Sequence, residues 1–453
     1  MTINENIFRE YDVRGIADTD LTDETSLALG KAVGTLMRSR GGKIATVGRD
    51  CRLSGPRIRD ALIQGLLSTG IDVVDIGLVP TPVLYFSIFH LDTDGGVQIT
   101  GSHNPSEHNG FKICSGKTTL HGAEIQELKH LILKGSFSTG SGTLSHQDIK
   151  KDYIDYIKAN TKHPFKLKVV IDCGNGAAGV VAPALFRDLG CEVVELLTEP
   201  DGTFPVHPPD PTEKESQEFL THAVLKHGAA VGIGFDGDAD RLGVVDASGR
   251  ALFGDELLVL YSRSLLERNP GAAIISEVKA SHRLFQDIEK NGGKPILWKT
   301  GHSLIKAKMR ESGALLAGEM SGHMFFKDRY FGFDDAIYAA VRLFEILSEK
   351  QKTPLELLDN LPPSFCTPEI RVHCADEIKF KVVSEAKRKL EDKGYHVNPI
   401  DGARVEFEDG WGLVRASNTQ AVLVLRFEAT TEKRLKEIRS EIENTVNQII
   451  SAL

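Results

Sequence analysis

Short apolar runs of about four to six residues alternate with amphipathic segments of about 10 to 18 residues through most of this sequence. Apolar runs such as Lys168 to Asp172 and Ala230 to Phe235 have the length of buried strands, and the segments between them have the period of helices. A strand, a covering helix and another strand in succession build a parallel or mixed sheet. The sequence therefore predicts an α/β fold.

The chain is too long for one hydrophobic core, because 453 residues correspond to three or four domains of ordinary size. Breaks in the pattern predict four domains, at residues 1–147, 148–250, 251–362 and 363–453. The first three share one rhythm and are interpreted as related mixed α/β domains. The last is predicted to be a smaller α+β domain, with a helix that begins at Ser384 as its N-cap.

Charge and composition exclude several classes of protein. The chain has 63 acidic and 54 basic residues, a net charge of -9, and no long block of one sign, which argues against general binding of nucleic acid or of an anionic membrane. Because neither a signal peptide nor a membrane-spanning apolar run is recognised, we expect a cytoplasmic protein. The six cysteines form no C-x-x-C motif and are interpreted as reduced thiols. An anionic ligand would require a local concentration of positive charge.

The segment TGSHNP, residues 100–105, follows a predicted buried strand. In open α/β sheets, ligands bind at the carboxyl ends of strands, so the hydroxyl of Ser102 is a candidate reactive group. An ordinary polar turn is the alternative. The segment does not match the G-x-S-x-G nucleophile motif, which disfavours a serine hydrolase.

The segment DGDADR, residues 236–241, follows another predicted buried strand. Its three carboxylates, from Asp236, Asp238 and Asp240, would repel one another unless a cation lies between them, and oxygen ligands suit Mg²⁺ or Ca²⁺. An EF-hand is excluded because Arg241 stands where that loop needs glycine. A solvated acidic turn and the D-x-D loop of haloacid dehalogenase-type phosphatases are the alternatives.

Two further strand-end segments carry polar groups suited to a phosphosugar. The first, GEMSGH at residues 318–323, offers a carboxylate, a hydroxyl and an imidazole, and the preceding segment KTGH, residues 299–302, adds cationic donors. The second, RASNT at residues 415–419, has the guanidinium, hydroxyls and turning backbone of a phosphate site. A capped turn and a β-hairpin are the respective alternatives. Each predicted domain thus supplies one strand-end loop, and we expect the four loops to meet at one central cleft.

Two glycine-rich segments suggest other functions. Residues 174–179, GNGAAG, match the G-x-G-x-x-G pattern of a dinucleotide site, so a dinucleotide-dependent dehydrogenase is an alternative. That function would leave the Ser102 and triple-Asp segments unexplained, which favours a structural turn. Residues 110–118 resemble a P-loop but are one residue too long and lack a following helix.

The sequence resembles the α-D-phosphohexomutases, most closely the bacterial phosphomannomutase/phosphoglucomutase branch. Five segments match that family's signatures in order: residues 8–15, 100–105, 236–241, 318–323 and 415–419. The resemblance spans the whole chain and implies four domains around a central cleft. It also implies an enzyme, an isomerase that interconverts hexose 1-phosphates and hexose 6-phosphates, with mannose or glucose as the sugar.

The resemblance further implies that Ser102 carries a phosphoryl group and that a 1,6-bisphosphate is the intermediate. One Mg²⁺ per chain would be bound by Ser102 as phosphoserine, Asp236, Asp238 and Asp240. The implied catalytic residues are Ser102, Lys112, Arg14, His302, His323 and Arg241. The implied substrate-binding residues are Tyr11, Lys299, Glu319, Ser321, Arg415, Ser417, Asn418 and Thr419. We also expect glucose 1,6-bisphosphate, or an equivalent, as activator and a monomeric chain with no macromolecular partner.

Two alternatives lie close to this prediction. Phosphoglucosamine mutase activity is the alternative within the family. Those enzymes usually have Gln at the position where this chain has Met320, which favours the phosphomannomutase/phosphoglucomutase branch. A non-catalytic protein that binds phosphosugars is the alternative outside enzymes.

Overall fold

The computed structural model describes residues 3–162, 164–417 and 421–452. These residues form four sheets, and each sheet is built from one contiguous stretch of the chain. We call the four stretches, with their helices, units 1 to 4 in chain order. No helix within the described ranges is both long and apolar enough to cross a membrane.

Unit 1 contains a seven-stranded sheet with helices on its faces. A short 3-10 helix, Glu5–Ile7, precedes it. Its elements are β1 Val13–Ile16, α1 Asp23–Ser39, β2 Ile44–Arg49, α2 Gly55–Ser68, β3 Asp72–Leu78, α3 Thr81–His90, β4 Gly95–Ile99, β5 His108–Ser115, β6 Thr118–Thr119, α4 Ala123–Lys134 and β7 Leu144–His146. The strand order is β1-β5-β4-β2-β3-β7, with β6 paired to β5.

Units 2 and 3 are smaller α/β units. Unit 2 comprises α5 Lys150–Ala159, β8 Lys168–Asp172, α6 Ala182–Asp188, β9 Glu192–Leu196, α7 Lys214–His227, β10 Val231–Phe235, β11 Leu242–Asp246 and β12 Ala251–Leu252. Unit 3 comprises α8 Gly254–Arg268, β13 Ala273–Glu277, α9 His282–Lys290, β14 Lys294–Trp298, α10 His302–Ser312, β15 Leu316–Gly318, β16 Met324–Phe326, α11 Ala336–Lys350 and α12 Pro354–Leu358.

The first three units share one strand order, which confirms the prediction of related mixed α/β domains. In each, three strands run parallel, and a fourth, antiparallel strand follows the third. The shared orders are β5-β4-β2-β3, β11-β10-β8-β9 and β16-β15-β13-β14. The loop between the third and fourth strands therefore occupies the same place in all three units.

Unit 4 is an antiparallel sheet with two helices. Its elements are β17 Phe365–Cys366, β18 Ile370–His373, α13 Asp376–Asp392, β19 His396–Asn398, β20 Ala403–Phe407, β21 Gly410–Ala416, β22 Val422–Ala429 and α14 Glu432–Ile450. The prediction that Ser384 caps the first helix is wrong, because α13 begins two turns earlier and Ser384 lies on its exposed face. A serine that faces water inside a helix costs little and is easily mistaken for a cap.

One apolar cluster joins units 1, 2 and 3. It runs from α3 through α5 and α6 to α11, with ring contacts such as Phe86 to Tyr153 and Phe186 to Phe344. Unit 4 has its own core and meets unit 3 at a small cluster around Trp411, where the guanidinium of Arg404 lies 3.9 Å from the indole ring. Units 1 to 3 thus share a core, and unit 4 is docked against it.

The two glycine-rich segments have structural roles here. Residues 110–118 lie in the β5–β6 hairpin, not in a phosphate-binding loop. Residues 174–179 form a turn and a 3-10 helix, and the backbone N–H of Ala177 donates to the carbonyl of Gly237, 2.9 Å away. A Cβ on Gly176 would lie 2.8 Å from that same carbonyl, so this position needs glycine. The segment packs beneath the triple-Asp segment.

Candidate active site

Four strand-end loops meet at one cavity of about 770 Å³. Three of them are the equivalent loops of units 1 to 3: the Ser loop, residues 100–107, the Asp loop, residues 236–241, and the Glu loop, residues 319–323. The fourth follows β21 of unit 4 and begins at Ser417. Because the three units share one topology, equivalent loops bring different chemistry to the same cleft.

Ser102 lines the cleft and is buried, and its backbone adopts a left-handed conformation with φ of 50°. Its Oγ donates to Oδ2 of Asp236, 2.8 Å away, and lies 3.2 Å from Nδ1 of His103. Its backbone N–H donates to Oγ1 of Thr100. The Ser and Asp loops are therefore in direct contact.

Arg52, which was not identified from the sequence, holds the Ser loop. Its side chain is fully buried, and the guanidinium donates to the carbonyls of Ser102, Asn104 and His108 at 2.8, 2.6 and 2.9 Å. The carboxylate of Asp50 pairs with the same guanidinium at 3.2 Å. Arg52 follows β2 and lies 50 residues before Ser102 in the chain, so only the fold shows the contact.

The carboxylates of the Asp loop fit a hard cation. Asp236, Asp238 and Asp240 are fully buried and place one oxygen each within 4.8 Å of the others. Oδ1 of Asp238 is buried without a hydrogen-bond partner among the described residues, and a cation would satisfy it. The loop turns through Ala239, whose φ of 60° is rare for a residue with a Cβ.

Lys112 offsets part of this negative charge. Its Nζ donates to Oδ2 of Asp238 at 2.7 Å and also pairs with Asp240. Burial opposes the charged form, but the two carboxylates raise the pKa of Lys112 above its ordinary value. Burial and the neighbouring carboxylates raise the pKa of Asp236 well above its usual range. His323 and Arg241 also approach this cluster, at 3.1 Å from Asp240 and 4.0 Å from Asp236, so the feature that supports a cation site is Oδ1 of Asp238, which lacks a partner among the described residues.

Two stacked imidazoles lie beside this cluster, with ring centres 5.8 Å apart. Burial opposes the charge on His323, but Asp240 and Glu319 raise its pKa to about 10. Burial and Lys306 hold the pKa of His302 well below its usual range. Within this stacked pair, the surroundings of His323 therefore favour its charged form and those of His302 favour its neutral form. Asp240, His323 and Asp334 form a second group of nearby metal-type ligands, but Asp334 already pairs with Lys306 at 2.8 Å.

The side chain of Glu319 is held in place by neighbouring groups, which connect it to the Asp loop. Oε1 accepts from the backbone N–H of Gly301 at 2.6 Å, and Oε2 lies 2.9 Å from Nδ1 of His323. The hydroxyl of Ser321 lies 2.9 Å from the same imidazole nitrogen. The carboxylate, hydroxyl and imidazole thus form one connected group, which also reaches Asp240 through Nε2 of His323 at 3.1 Å.

Unit 4 contributes Arg415 to the opposite wall of the cleft. Its Nε donates to Oδ2 of Asp401 at 2.7 Å, and the same oxygen accepts from the backbone N–H of Thr300 in unit 3 at 2.9 Å. Ser417 also lines the cavity. Asn418 and Thr419 lie outside the described residues.

The other predicted residues fall into two groups. Tyr11, Arg14 and Arg241 line the cavity: Tyr11 donates to the carbonyl of Thr300 at 3.1 Å, and Arg14 donates to Oδ1 of Asn104 at 3.3 Å. Arg241 lies 3.5 Å from Asp210 and 4.0 Å from Asp236.

Lys299 is exposed and does not line the cavity. It follows the last residue of β14 directly and precedes α10, which begins at His302. Its assignment to substrate binding has no support in this geometry. Lys279, at the end of β13, lines the cavity instead and pairs with Glu369 of unit 4 at 3.0 Å. The cationic residues that line the cavity are Arg14, Lys112, Arg241, Lys279, Arg371, Arg415 and Arg426. Five acidic residues also line the cavity, so its lining has a small excess of positive charge in a chain whose net charge is -9, as an anionic ligand requires.

Family models match the chain in four consecutive segments. Residues 5–139, 151–249 and 253–365 match the alpha/beta/alpha domains I, II and III of phosphoglucomutase/phosphomannomutase, and residues 369–445 match the C-terminal domain of the same family. The matched segments follow the order of units 1 to 4.

Full-length relatives agree with these matches. The chain is 46% identical over 452 residues to a phosphomannomutase/phosphoglucomutase of Pseudomonas aeruginosa, covering 100% of this chain and 98% of that protein. It is 44% identical over 449 residues to a phosphoglucomutase of Neisseria gonorrhoeae, covering 98% and 97% of the two chains. A crystal structure of a phosphoglucomutase/phosphomannomutase family protein from Burkholderia thailandensis has a TM-score of 0.93 and 43% identity, covering 99% of this chain and 98% of that one.

The four-unit fold, the order of the strand-end loops and these comparisons agree along the whole chain. The chain belongs to the phosphoglucomutase/phosphomannomutase family.

Proposed function

We propose that this chain interconverts hexose 1-phosphates and hexose 6-phosphates of glucose and mannose, and that Ser102 carries the transferred phosphoryl group. The observation that carries the proposal is the position of Ser102, buried where the Ser and Asp loops touch, with Oγ 2.8 Å from Asp236. Around it, a cleft lined by seven lysines and arginines is suited to an anionic substrate.

The chemistry is two successive transfers. The free hydroxyl of the bound hexose phosphate attacks the phosphorus on Ser102. A new P–O bond forms to the sugar while the bond from phosphorus to Oγ breaks, and the sugar proton passes to a side chain of the cleft. The resulting hexose 1,6-bisphosphate turns end for end and returns its other phosphoryl group to Ser102. Free glucose 1,6-bisphosphate would activate the enzyme by phosphorylating Ser102.

A magnesium ion fits the Asp loop. Asp236, Asp238, Asp240 and the phosphorylated Ser102 would hold it, and it would neutralise charge on the transferring group. In this scheme, Arg241 supports the Asp loop through Asp236, and Arg14 supports the Ser loop through Asn104.

Three cleft residues are candidates for proton transfer. Lys112, His302 and His323 all line the cleft. Carboxylates raise the pKa of Lys112 and of His323, which favours their protonated forms but opposes release of the proton, whereas burial and Lys306 lower the pKa of His302. A cation bound by the Asp loop would offset those carboxylates and bring the pKa of Lys112 and of His323 closer to the operating pH, as proton transfer requires. The two directions of the reaction need both a donor and an acceptor of the proton, because these roles exchange when the bisphosphate has turned.

Substrate recognition is divided between units 3 and 4. Glu319 and Ser321 would bind the sugar hydroxyls O3 and O4, which are equatorial in both glucose and mannose. Arg415 and Ser417 would bind the phosphate that is not reacting. Tyr11 of unit 1 lines the same cleft, and its hydroxyl donates to the carbonyl of Thr300 in unit 3 at 3.1 Å. Glucose and mannose differ only in their configuration at C2. A site that binds O3 and O4 does not distinguish that configuration, so both hexoses should be substrates.

A coupled assay tests the proposal. Glucose 1-phosphate and mannose 1-phosphate should both be converted to their 6-phosphates, faster when a trace of glucose 1,6-bisphosphate is present. EDTA should abolish turnover, and Mg²⁺ should restore it. Turnover of glucosamine 1-phosphate alone would instead favour the phosphoglucosamine mutase alternative. Binding of glucose 1-phosphate without any turnover would contradict the proposal.

A further inference from the structure

Thr81 contacts the Asp loop from a different unit. It is the first residue of α3 in unit 1 and is fully buried. Its backbone N–H donates to the backbone carbonyl of Asp238 at 2.9 Å, and its hydroxyl donates to Oδ2 of the same residue at 2.5 Å. Thr81 therefore holds both the backbone and the side chain of one carboxylate of the cluster.

The two oxygens of Asp238 have different surroundings. Oδ2 accepts hydrogen bonds from Thr81 and from Nζ of Lys112. Oδ1 is buried and has no hydrogen-bond partner among the described residues. A buried carboxylate oxygen without a partner is costly unless a cation satisfies it. The hydrogen bonds to Oδ2 thus leave Oδ1 as the oxygen that faces the metal site.

Of the two donors to Oδ2, Thr81 is the more rigid. The torsion that rotates an aspartate carboxylate is broad, so the carboxylate turns easily unless it is held. The side chain of Lys112 is flexible, and Asp238 shares it with Asp240. Thr81 is β-branched, with a restricted χ1, and sits in a helix anchored in the core that joins units 1 to 3.

We propose that Thr81 is a positioning residue for the metal centre, which fixes Asp238 so that Oδ1 faces the cation. The inference rests on the proposed function, because it takes the Asp loop as the metal site. Residues that orient metal ligands typically change metal affinity by 10- to 100-fold when they are replaced. Loss of the Thr81 hydroxyl should therefore weaken metal binding by about 10-fold or more.

The test compares Thr81→Val, which keeps the shape and removes the hydroxyl, with Thr81→Ser, which keeps the hydroxyl. Binding of Mn²⁺ to the full-length protein is measured directly, by titration calorimetry and by the electron paramagnetic resonance signal of free Mn²⁺. Thr93→Val is the matched control, because the buried hydroxyl of Thr93 donates to the carbonyl of Gly95 in the same unit, away from the Asp loop.

We expect Thr81→Val to raise the Kd for Mn²⁺, and the Mg²⁺ concentration for half-maximal activity, by about 10-fold or more. At saturating Mg²⁺, the KM for glucose 1-phosphate should stay within about twofold of wild type. Thr81→Ser and Thr93→Val should bind Mn²⁺ within about twofold of wild type. If Thr81→Val does not fold, Thr81→Ala, which leaves more room, replaces it with the same expectation.

Two outcomes separate this inference from the proposed function. If the wild-type protein binds no Mn²⁺ and needs no divalent cation, the metal site itself is wrong. If the wild-type protein binds Mn²⁺ and folded Thr81→Val or Thr81→Ala binds it equally well, the metal site stands and the role of Thr81 is overturned.

Discussion

The backbone of the Ser loop turns around one buried guanidinium. Three of its carbonyls, those of Ser102, Asn104 and Pro105, accept hydrogen bonds from Arg52, and the charge of that side chain is balanced by Asp50. A buried charge that loses its partner is strongly destabilising, so the pair commits the chain to one loop conformation. The position of Ser102 depends on this pair as much as on its own sequence.

Arg52→Met should therefore lower the free energy of unfolding by about 3 to 5 kcal/mol, because it leaves Asp50 buried and unpaired. Urea unfolding followed by circular dichroism measures the change. The control is Arg40→Met, which breaks the exposed pair with Glu124 and should cost less than about 1 kcal/mol. Equal effects of the two substitutions would show that Arg52 does not hold the loop.

Arg415 is the residue through which unit 4 should act on the substrate. Arg415→Ala removes a charge-assisted contact of about 1.5 to 3 kcal/mol, which corresponds to a loss of about 10- to 100-fold in kcat/KM. Steady-state kinetics with glucose 1-phosphate measure it. Arg388→Ala, on the exposed face of α13, is the control and should leave kcat/KM unchanged. A change of less than about twofold for Arg415→Ala would remove this arginine from the phosphate site.

At the scale of elements, the closest contact between helices in unit 1 is the crossing of α1 and α2. A Cβ on Gly30 would lie closer than 3.0 Å to the carbonyl oxygen of Leu62, and a Cβ on Gly65 would meet the backbone of Leu27 equally closely. The two helices therefore touch backbone to backbone, which is possible only with glycine at both positions.

Gly30→Ala gains about 1 kcal/mol of helix propensity but forces two packed backbones apart, and overpacking of this kind costs about 1 to 3 kcal/mol or more. The steric term is the larger, so we expect net destabilisation and a lower thermal midpoint in differential scanning calorimetry. Glu24→Ala, in the exposed first turn of α1, should change stability by no more than about 1 kcal/mol. A midpoint for Gly30→Ala at or above the wild-type value would contradict this account.

The sequence pattern best predicts the elements that have a single buried face or consist of an uninterrupted apolar run. Strand β8 has the predicted bounds, and β10 begins one residue after the predicted start at Ala230. Helix α3 has no such signal, because eight of its residues from Thr81 onward are buried and no polar face marks a period. Strand β5 is hidden for a different reason: it carries two buried polar residues, Asn109, whose side chain donates to Ser54, and Lys112, whose side chain donates to the Asp loop.

The candidate site was predictable where one segment carries all the groups, as in the Asp loop. It was not predictable where a contact joins distant segments. Arg52, Thr81 and Asp401 each act on a loop in another part of the chain, and none of them lies in a recognisable motif. Lys299 is a different case, because residues 300–302 line the cleft whereas the side chain of Lys299 is exposed.

At the scale of the whole molecule, unit 4 is attached to unit 3 through polar contacts around one segment. Arg404 donates to the carbonyls of Val278 and Ala280, and Arg426 donates to that of Lys279 at 3.0 Å. The side chain of Lys279 then reaches Glu369 of unit 4. The docking of unit 4 thus sets the position of a lysine that lines the cleft.

The pair between Lys279 and Glu369 should make this docking depend on pH. Burial opposes the charged form, but Lys279, together with Arg371 of unit 4, lowers the pKa of Glu369 from 4.5 to about 2. Because the pKa is lower in the folded protein, the pair stabilises the fold above about pH 4.5 and loses that contribution as the pH falls towards 2. The side chain of Glu369 is 31% exposed, so we expect about 1 kcal/mol after solvent screening.

Glu369→Gln should accordingly lower the urea midpoint at pH 7, and the difference from wild type should shrink as the pH falls below 4.5. Glu408→Gln, at an exposed position of unit 4, should show no such dependence. A difference for Glu369→Gln that is constant from pH 7 downward would mean that its charge does not contribute to docking.

The central claim is that Ser102 carries the transferred phosphoryl group. Incubation with glucose 1,6-bisphosphate labelled with ³²P, followed by a rapid quench and peptide mapping by mass spectrometry, tests it most directly. We predict label on Ser102, its return to bisphosphate when unlabelled glucose 6-phosphate is added, and no label in Ser102→Ala. Label on another residue, or wild-type turnover by Ser102→Ala, would contradict the claim.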